Sequence, residues 1–344
     1  MLLSASTMTA LAQEPSEGPL WMRYSAISPD GSTIAFAYKG DIFTVPVTGG
    51  QARQITSNAA FDSRPVWSPD GSRIAFASYR MGSADVFIVS RDGGEPVRLT
   101  THSANEFPIV FKDNSTILYS AYIQPSAESM QFPSSTFAQV YAVSTEGGRP
   151  VMFSTLPLES ISFSPDGKTL LYNDKKGYED EWRKHHTSSI TRDIWLYDAK
   201  TGIHTNLTDR AGEDRNPVLS PDGRTVYFLS ERNGGSFNVY AFPLAQPREV
   251  KPITSFKTHP VRFLSMSDGG TLCYSYDGEI YTQQPDATPK KVAIELVRDD
   301  RPQFANLQSS DGATSAVVSP DGKQIAFTLR GEVFVTSADY ATTK

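Results

Sequence analysis

The feature that most constrains the fold of this chain is a repeated turn motif. Ser-Pro-Asp-Gly occurs five times, and two degenerate copies contain Asp113 and Asp268. The seven aspartates lie at positions 30, 70, 113, 166, 222, 268 and 321, so consecutive copies are 40 to 56 residues apart. Repeats of about 40–50 residues are typical of β-propellers, in which each repeat forms one blade.

The segments around each copy follow the same order. Pro favours the first central position of a turn and Gly accepts a left-handed position, so Ser-Pro-Asp-Gly predicts a tight turn. An alternating apolar segment such as 34–37 follows, then an acid or amide before an aliphatic and an aromatic residue, as at 41–43. A Gly-rich turn and an outer strand complete the unit. Four strands joined by three hairpin turns form one propeller blade.

These repeats predict an all-β fold. Residues 22–295 are expected to form a six-bladed β-propeller of four-stranded antiparallel blades. Residues 296–312 are polar and predict a linker, and residues 313–344 predict the first hairpin of a second, truncated propeller. Residues 13–18 are poor strand formers. We therefore expect residues 13–21 to be an N-terminal segment and not the missing strand of a seventh blade.

The first twelve residues are predicted to be part of a signal peptide. They are apolar, end in Ala10-Leu11-Ala12 and precede a polar sequence, as at a signal-peptidase site. The positive segment that opens such a leader is missing, which predicts a longer one. We therefore expect a periplasmic protein, with a cytoplasmic location as the alternative. No run of 18 apolar residues predicts a membrane-spanning helix.

Composition and motifs exclude several kinds of site. The net charge is −6, from 32 Lys and Arg against 38 Asp and Glu, whereas proteins that bind nucleic acid usually have a basic face. The single Cys273 excludes an internal disulfide and a multi-cysteine metal cluster. The chain contains no G-x-S-x-G, H-E-x-x-H or phosphate-binding Gly-rich motif. We expect no catalytic residue, metal or cofactor in this chain, and no nucleic-acid partner.

Polar residues directly precede the six predicted inner strands. Because inner strands line the channel of a propeller, these residues are expected to gather at one mouth of the channel. Arginines there can bind peptide carboxylates in bidentate fashion. The alternative is a solvent-filled rim of mixed ion pairs. The residues are Arg23, Arg64, Glu106, Glu159, Arg215 and His259.

A charged insertion in the fourth repeat surrounds Trp182 and continues through Arg183, Lys184, His185 and His186. Adjacent histidines on a strand point to opposite faces, so this pair does not predict a zinc site. One interpretation is a solvated loop with Trp182 anchored in the blade. The alternative is a recognition loop for a peptide or a partner domain, formed by Arg183, Lys184 and His186.

The repeats resemble the propellers of the TolB and dipeptidyl-peptidase type, and two insertions are more specific. Gln124-Pro125 and Met130–Ser135 lie in the third repeat, and Trp182–His186 lies in the fourth. Both insertions resemble the N-terminal six-bladed propeller of tricorn protease homologues. The restart at 317–322 and 331–334 resembles the entry to that family's second, seven-bladed propeller.

The resemblance implies the substrate-access region of a serine peptidase that degrades oligopeptides. Its implied partners are oligopeptides and the peptidase core and second propeller of the same parent protein, and it allows a homo-oligomer. The family archetype anchors a substrate carboxylate with an Arg-Arg pair before the third blade, whereas residues 101–105 contain no arginine. Two alternatives are a stand-alone TolB-like periplasmic scaffold and, less well matched, the propeller of a prolyl-oligopeptidase-like hydrolase.

Overall fold

The computed structural model describes residues 19–123, 137–180, 182–183, 188–232, 236–297, 312–329 and 331–339. All regular secondary structure in these ranges is β-strand, as the sequence predicts. Among these residues no helix is long and apolar enough to cross a membrane. The chain divides into two compact units, Met1–Val297 and Arg298–Lys344.

The first unit contains six antiparallel sheets, one for each predicted blade. Blades 1 to 3 comprise β1 (Arg23–Ile27), β2 (Thr33–Tyr38), β3 (Asp41–Pro46), β4 (Gly50–Gln54); β5 (Asp62–Trp67), β6 (Arg73–Ser78), β7 (Asp85–Ser90), β8 (Val97–Arg98); and β9 (Glu106–Asp113), β10 (Thr116–Ala121), β11 (Gln139–Ser144), β12 (Val151–Ser154). Blades 4 to 6 comprise β13 (Glu159–Phe163), β14 (Thr169–Asn173), β15 (Ile194–Asp198), β16 (Ile203–Asn206); β17 (Asp214–Leu219), β18 (Thr225–Ser230), β19 (Asn238–Pro243), β20 (Lys251–Pro252); and β21 (Arg262–Met266), β22 (Leu272–Tyr276), β23 (Glu279–Gln283), β24 (Lys290–Lys291). The predicted six-bladed propeller is confirmed.

The first strand of every blade lies at the centre of the ring. β1, β5, β9, β13, β17 and β21 each form the edge of their own sheet, and each contacts the inner strand of the next blade. β21 contacts β1 in the same way, which closes the circle. These six strands therefore line the central channel.

Apolar side chains between neighbouring blades form the core. The buried residues of the first unit group into six clusters, and each cluster is shared by two adjacent blades. Between blades 1 and 2, for example, Ala35 and Ile42 pack with Phe76 and Phe87. Full burial of one such large side chain stabilises a fold by about 1.5–3 kcal/mol. Each blade therefore depends on its neighbours for stability.

Blade 1 carries an additional strand that the sequence analysis did not predict. β25 (Ile294–Leu296) pairs in parallel with β4, so that the end of the sixth repeat becomes the fifth strand of the first blade. The amide of Gly50 donates a hydrogen bond to the carbonyl oxygen of Ala293 at 2.8 Å. Strand pairing thus extends to Leu296, one residue into the predicted linker.

The aspartates of the repeated turns have the structural role that turn chemistry predicts. Asp70 accepts hydrogen bonds from the hydroxyl of Ser68 at 2.6 Å and from the amide of Ser72 at 3.0 Å. These bonds lower the pKa of Asp70 to about 2. Gly71 has a φ of +67°, which glycine adopts without strain. The Ser-Asp hydroxyl bond recurs at Asp30, Asp166, Asp222 and Asp321.

The second unit contains a three-stranded antiparallel sheet of β26 (Ser315–Val318), β27 (Gln324–Leu329) and β28 (Glu332–Ser337). A Ser-Pro-Asp-Gly turn connects β26 to β27, because the amide of Gly322 bonds to the carbonyl of Ser319. This sheet has one strand more than the predicted hairpin.

Several predicted features lie outside the described residues. They are the signal peptide at 1–12, the insertion residues 124–125 and 130–135, linker residues 298–311 and the C-terminal residues 342–344.

The closing strand makes a testable prediction about Gly49. A Cβ at Gly49 would lie 2.5 Å from the carbonyl oxygen of Ala293, whereas at the equivalent Gly93 the nearest atoms would be 3.9 Å away. Both glycines have positive φ, +88° and +81°. Gly49→Ala should therefore lower the free energy of unfolding by about 1–3 kcal/mol more than Gly93→Ala, measured by urea denaturation. Equal losses in the two variants would show that the β4–β25 contact does not hold the ring closed.

Candidate functional site at one mouth of the channel

Five of the six inner strands share the same β-bulge, whereas the register shifts of β9 fall at other positions. β1, β5, β13, β17 and β21 each contain the register shift of a β-bulge. One non-glycine residue in each bulge has a φ between 52° and 56°, a left-handed conformation that costs about 1–2 kcal/mol. Strain of this kind persists where the surrounding structure imposes it, and it concentrates at functional sites. The residues are Tyr24, Arg64, Ser160, Asn216 and Phe263.

The bulges bring aromatic rings and guanidinium groups together across blade boundaries. The ring centroids of Tyr24 and Phe263 are 4.8 Å apart, which joins blade 1 to blade 6. The guanidinium of Arg64 lies 5.5 Å from the ring centroid of Tyr24 and 4.6 Å from that of Phe107. We call Phe107, Arg64, Tyr24 and Phe263 the mouth belt. It runs without a break from blade 3 through blades 2 and 1 to blade 6.

Trp182 reaches this belt from the connection between β14 and β15 of blade 4. The centroid of its ring lies 6.1 Å from that of Tyr24 and 5.8 Å from that of Phe263, and both pairs are edge-to-face. The guanidinium groups of Arg23 and Arg262 lie 4.6 Å and 5.2 Å from the indole centroid. We call the walls around this indole, Arg23, Tyr24, Arg262 and Phe263, the tryptophan slot. Blade 4 is opposite blade 1 in a ring of six, so Trp182 ends against the far side of the mouth.

Arg183, the residue after Trp182, forms ion pairs with two glutamates of blade 5. Its guanidinium is 2.7 Å from the carboxylates of both Glu213 and Glu231, and the residue is only 4% exposed. Burial alone would lower the pKa of Arg183, but the hydrogen bonds with the two carboxylates outweigh it and raise that pKa above its ordinary value. Arg192 extends the network by bonding Glu213 at 3.1 Å and Glu159 at 2.7 Å.

The six residues predicted to lie at the mouth have different environments in the structure. Arg23 and Arg64 contact the rings described above. The guanidinium of Arg215 lies 4.3 Å from the ring centroid of Phe237 and also pairs with the carboxylate of Glu213 at 3.6 Å.

The other predicted mouth residues belong to ion pairs or to the interior. Glu159 pairs with Arg192, and His259 lies 3.2 Å from the carboxylate of Asp277. Glu106 is only 1% exposed, and burial raises the pKa of its carboxyl group. It therefore does not face an open rim. A position at the start of an inner strand thus does not by itself direct a side chain into the channel.

The predicted recognition loop is described only in part. Lys184 and His186 lie outside the described residues. Arg183 lies inside them but is buried between two carboxylates, and the ring of Trp182 contacts Tyr24 of blade 1 and Phe263 of blade 6. Among the residues that the structure describes, no group of three or more His, Cys, Asp or Glu side chains could hold a metal ion.

Tyr24, Arg262 and Phe263 were not among the residues predicted from the sequence. A signal for them was present, since Arg23-Tyr24 and Arg262-Phe263 occupy the same position in the first and sixth repeats. Repetition of an arginine followed by an aromatic residue, at the point where two neighbouring inner strands begin, could have predicted the tryptophan slot.

The ion pairs of Arg183 make a prediction about stability. Arg183→Ala would leave the buried carboxylate of Glu231 without its cation. Glu213 would keep its ion pair with Arg192. Loss of one partner of a buried ion pair typically costs about 3–5 kcal/mol of unfolding free energy. Arg53 is the matched control, because its pair with Asp92 is exposed, with 62% and 79% of the side chains accessible. Arg53→Ala should cost less than about 1 kcal/mol. Similar denaturation midpoints for both variants would contradict the anchoring role of Arg183.

Comparison with known proteins places this architecture in a family. The family model of the tricorn protease N-terminal beta propeller domain matches residues 19–289. Tricorn protease homolog 1 of Streptomyces coelicolor is 24% identical over 285 residues, which is 81% of this chain and 25% of that protein. The tricorn protease homolog of Saccharolobus solfataricus is 23% identical over 317 residues, which is 89% of this chain and 27% of that protein.

A solved structure agrees at the level of the fold. The crystal structure of the tricorn protease is similar with a TM-score of 0.66 at 22% identity, over 95% of this chain and 31% of that one. The chain thus spans about a quarter of the length of the curated relatives described above. Because the family model covers most of the propeller, the chain belongs to the tricorn protease N-terminal β-propeller domain family.

Proposed function

We propose that this chain is the substrate-access propeller of a tricorn-like serine peptidase that degrades oligopeptides. In this proposal the catalytic serine and histidine belong to a peptidase core elsewhere in the parent protein, which cleaves peptide bonds by acyl transfer. The propeller itself selects and admits peptides. Membership of the tricorn propeller family and the names of its relatives support the assignment.

The observation that carries the proposal is the combination of aromatic rings and arginines at one mouth of the channel. Stacking fixes a guanidinium by its face, whereas its N–H donors point outward in the plane of the group. Such donors bind the carboxylate and carbonyl oxygens of peptides well. The guanidinium groups of Arg23, Arg64 and Arg215 lie 4.6 Å, 4.6 Å and 4.3 Å from the centroids of neighbouring aromatic rings. Arg215 also pairs with Glu213 at 3.6 Å.

The test is capture of a labelled oligopeptide with a free C-terminal carboxylate. Arg64→Ala and Arg215→Ala are each expected to weaken binding about three- to ten-fold in fluorescence anisotropy, because each removes one cation from the mouth. Added salt should weaken binding by the wild-type chain and have less effect on the variants. Arg53→Ala, on an outer strand, is the control and should bind like wild type.

Binding that neither substitution nor salt changes would contradict a role of the mouth in peptide capture. It would leave these arginines with only a structural role.

We also propose that the protein is exported to the periplasm. The support is the small-residue sequence Ala10-Leu11-Ala12 before Gln13. When the natural coding sequence is expressed in a bacterium, the mature protein should appear in the periplasmic fraction with Gln13 at its N-terminus. N-terminal sequencing that finds an uncleaved chain in the cytoplasm would contradict this location.

A further inference from the structure

The tryptophan slot holds an aromatic side chain against two cations and two aromatic rings. The guanidinium groups of Arg23 and Arg262 both lie over the indole of Trp182, and the rings of Tyr24 and Phe263 meet it near their edges, at interplanar angles of 79° and 65°. Cations over a ring face and edge-to-face rings are both favourable arrangements for an aromatic guest.

The slot also forms hydrogen bonds with the main chain of the segment that occupies it. Nη2 of Arg262 donates hydrogen bonds to the carbonyl oxygens of Trp182 at 2.8 Å and of Arg183 at 3.0 Å. These acceptors are main-chain atoms, and any peptide with an aromatic residue at the same place offers both of them. The slot therefore matches the chemistry of a short peptide segment and not only that of an indole.

Trp182 and the residues that form the slot around it come from different blades of the propeller. The walls stand on the inner strands of blades 1 and 6, whereas Trp182 comes from a blade 4 connection and is only half-buried. The interblade cores consist of residues from adjacent blades, and Trp182 is a member of none of the six clusters. Arg183 holds this guest in place through Glu213 and Glu231.

We propose that the tryptophan slot is a binding site for an aromatic residue of an oligopeptide, and that Trp182 occupies it as an internal substitute. This inference rests on the proposed function and adds the class of peptide that the mouth selects. A peptide with an aromatic side chain displaces Trp182, takes its place against Arg23 and Arg262, and offers its carbonyl oxygens to Arg262. Peptides without an aromatic residue gain nothing from the slot.

The experiment uses this chain and two dye-labelled pentapeptides, one with a central tryptophan (GAWAG) and one with a central alanine (GAAAG). Trp182→Ala empties the slot and should bind the tryptophan peptide about ten-fold more tightly than wild type, because no internal guest competes. Binding of the alanine peptide should not change. A second substitution, Phe263→Ala, should remove the gain. Trp21→Ala is the control and should leave both affinities at the wild-type value, since Trp21 is 64% exposed and lies outside the slot.

A second variant keeps the test valid if Trp182→Ala does not fold. Glu231→Gln leaves Trp182 in the chain but weakens the ion pair of Arg183, and it should increase affinity for the tryptophan peptide about three-fold. Equal affinity of folded wild type, Trp182→Ala and Glu231→Gln for the tryptophan peptide would overturn the proposal.

The outcomes also separate this proposal from the proposed function. If all variants bind both peptides equally, peptide capture stands and the aromatic preference fails. If no variant binds either peptide, both proposals fail.

Discussion

Contact between blade 6 and blade 1 is the constraint on which the rest of this structure depends. Every blade buries apolar side chains against two neighbours, so an open ring would expose two faces to water. An apolar cluster that includes Phe36, Val45, Cys273 and Ile280 fills the space between the two end blades. The parallel pair of β4 and β25 adds main-chain hydrogen bonds at the outer edge of blade 1.

The same closure builds the candidate site. Tyr24 and Arg23 come from blade 1, and Phe263 and Arg262 come from blade 6, so these walls become neighbours only when the ring is closed. Left-handed bulges at Tyr24 and Phe263 set the direction of their side chains. The free energy of interblade packing thus offsets local backbone strain, and the strained residues form a site that no single blade could form alone.

Much of this architecture could be predicted from the sequence because it depends on local chemistry that recurs. The turn motif, the alternation of apolar residues and the spacing of the aspartates predicted six blades of four strands, and these are confirmed. β25 could not be predicted in this way, because it has three residues and its partner β4 lies about 240 positions earlier in the chain. Pairing between such distant segments depends on the closed ring, which sequence patterns do not show.

The candidate site was predictable only in part, for the same reason. The position of Arg23, Arg64 and Arg215 on inner strands indicated a mouth, but a position does not show what a side chain contacts. Glu106 has a similar position and is buried. One interpretation anchored Trp182 in its blade, but its ring contacts Tyr24 of blade 1 and Phe263 of blade 6. Those residues lie about 160 and 80 positions away in the sequence, so a local pattern does not show these contacts.

The central claim is that oligopeptides bind at this mouth of the channel. Photo-crosslinking tests it most directly, with an oligopeptide that carries a photoreactive group and with mass spectrometry to locate the attachment. The account predicts crosslinks to residues at the start of β1, β5 and β21, beside Tyr24, Arg64 and Phe263. Crosslinks confined to the outer strands β8, β12 and β16 would contradict it.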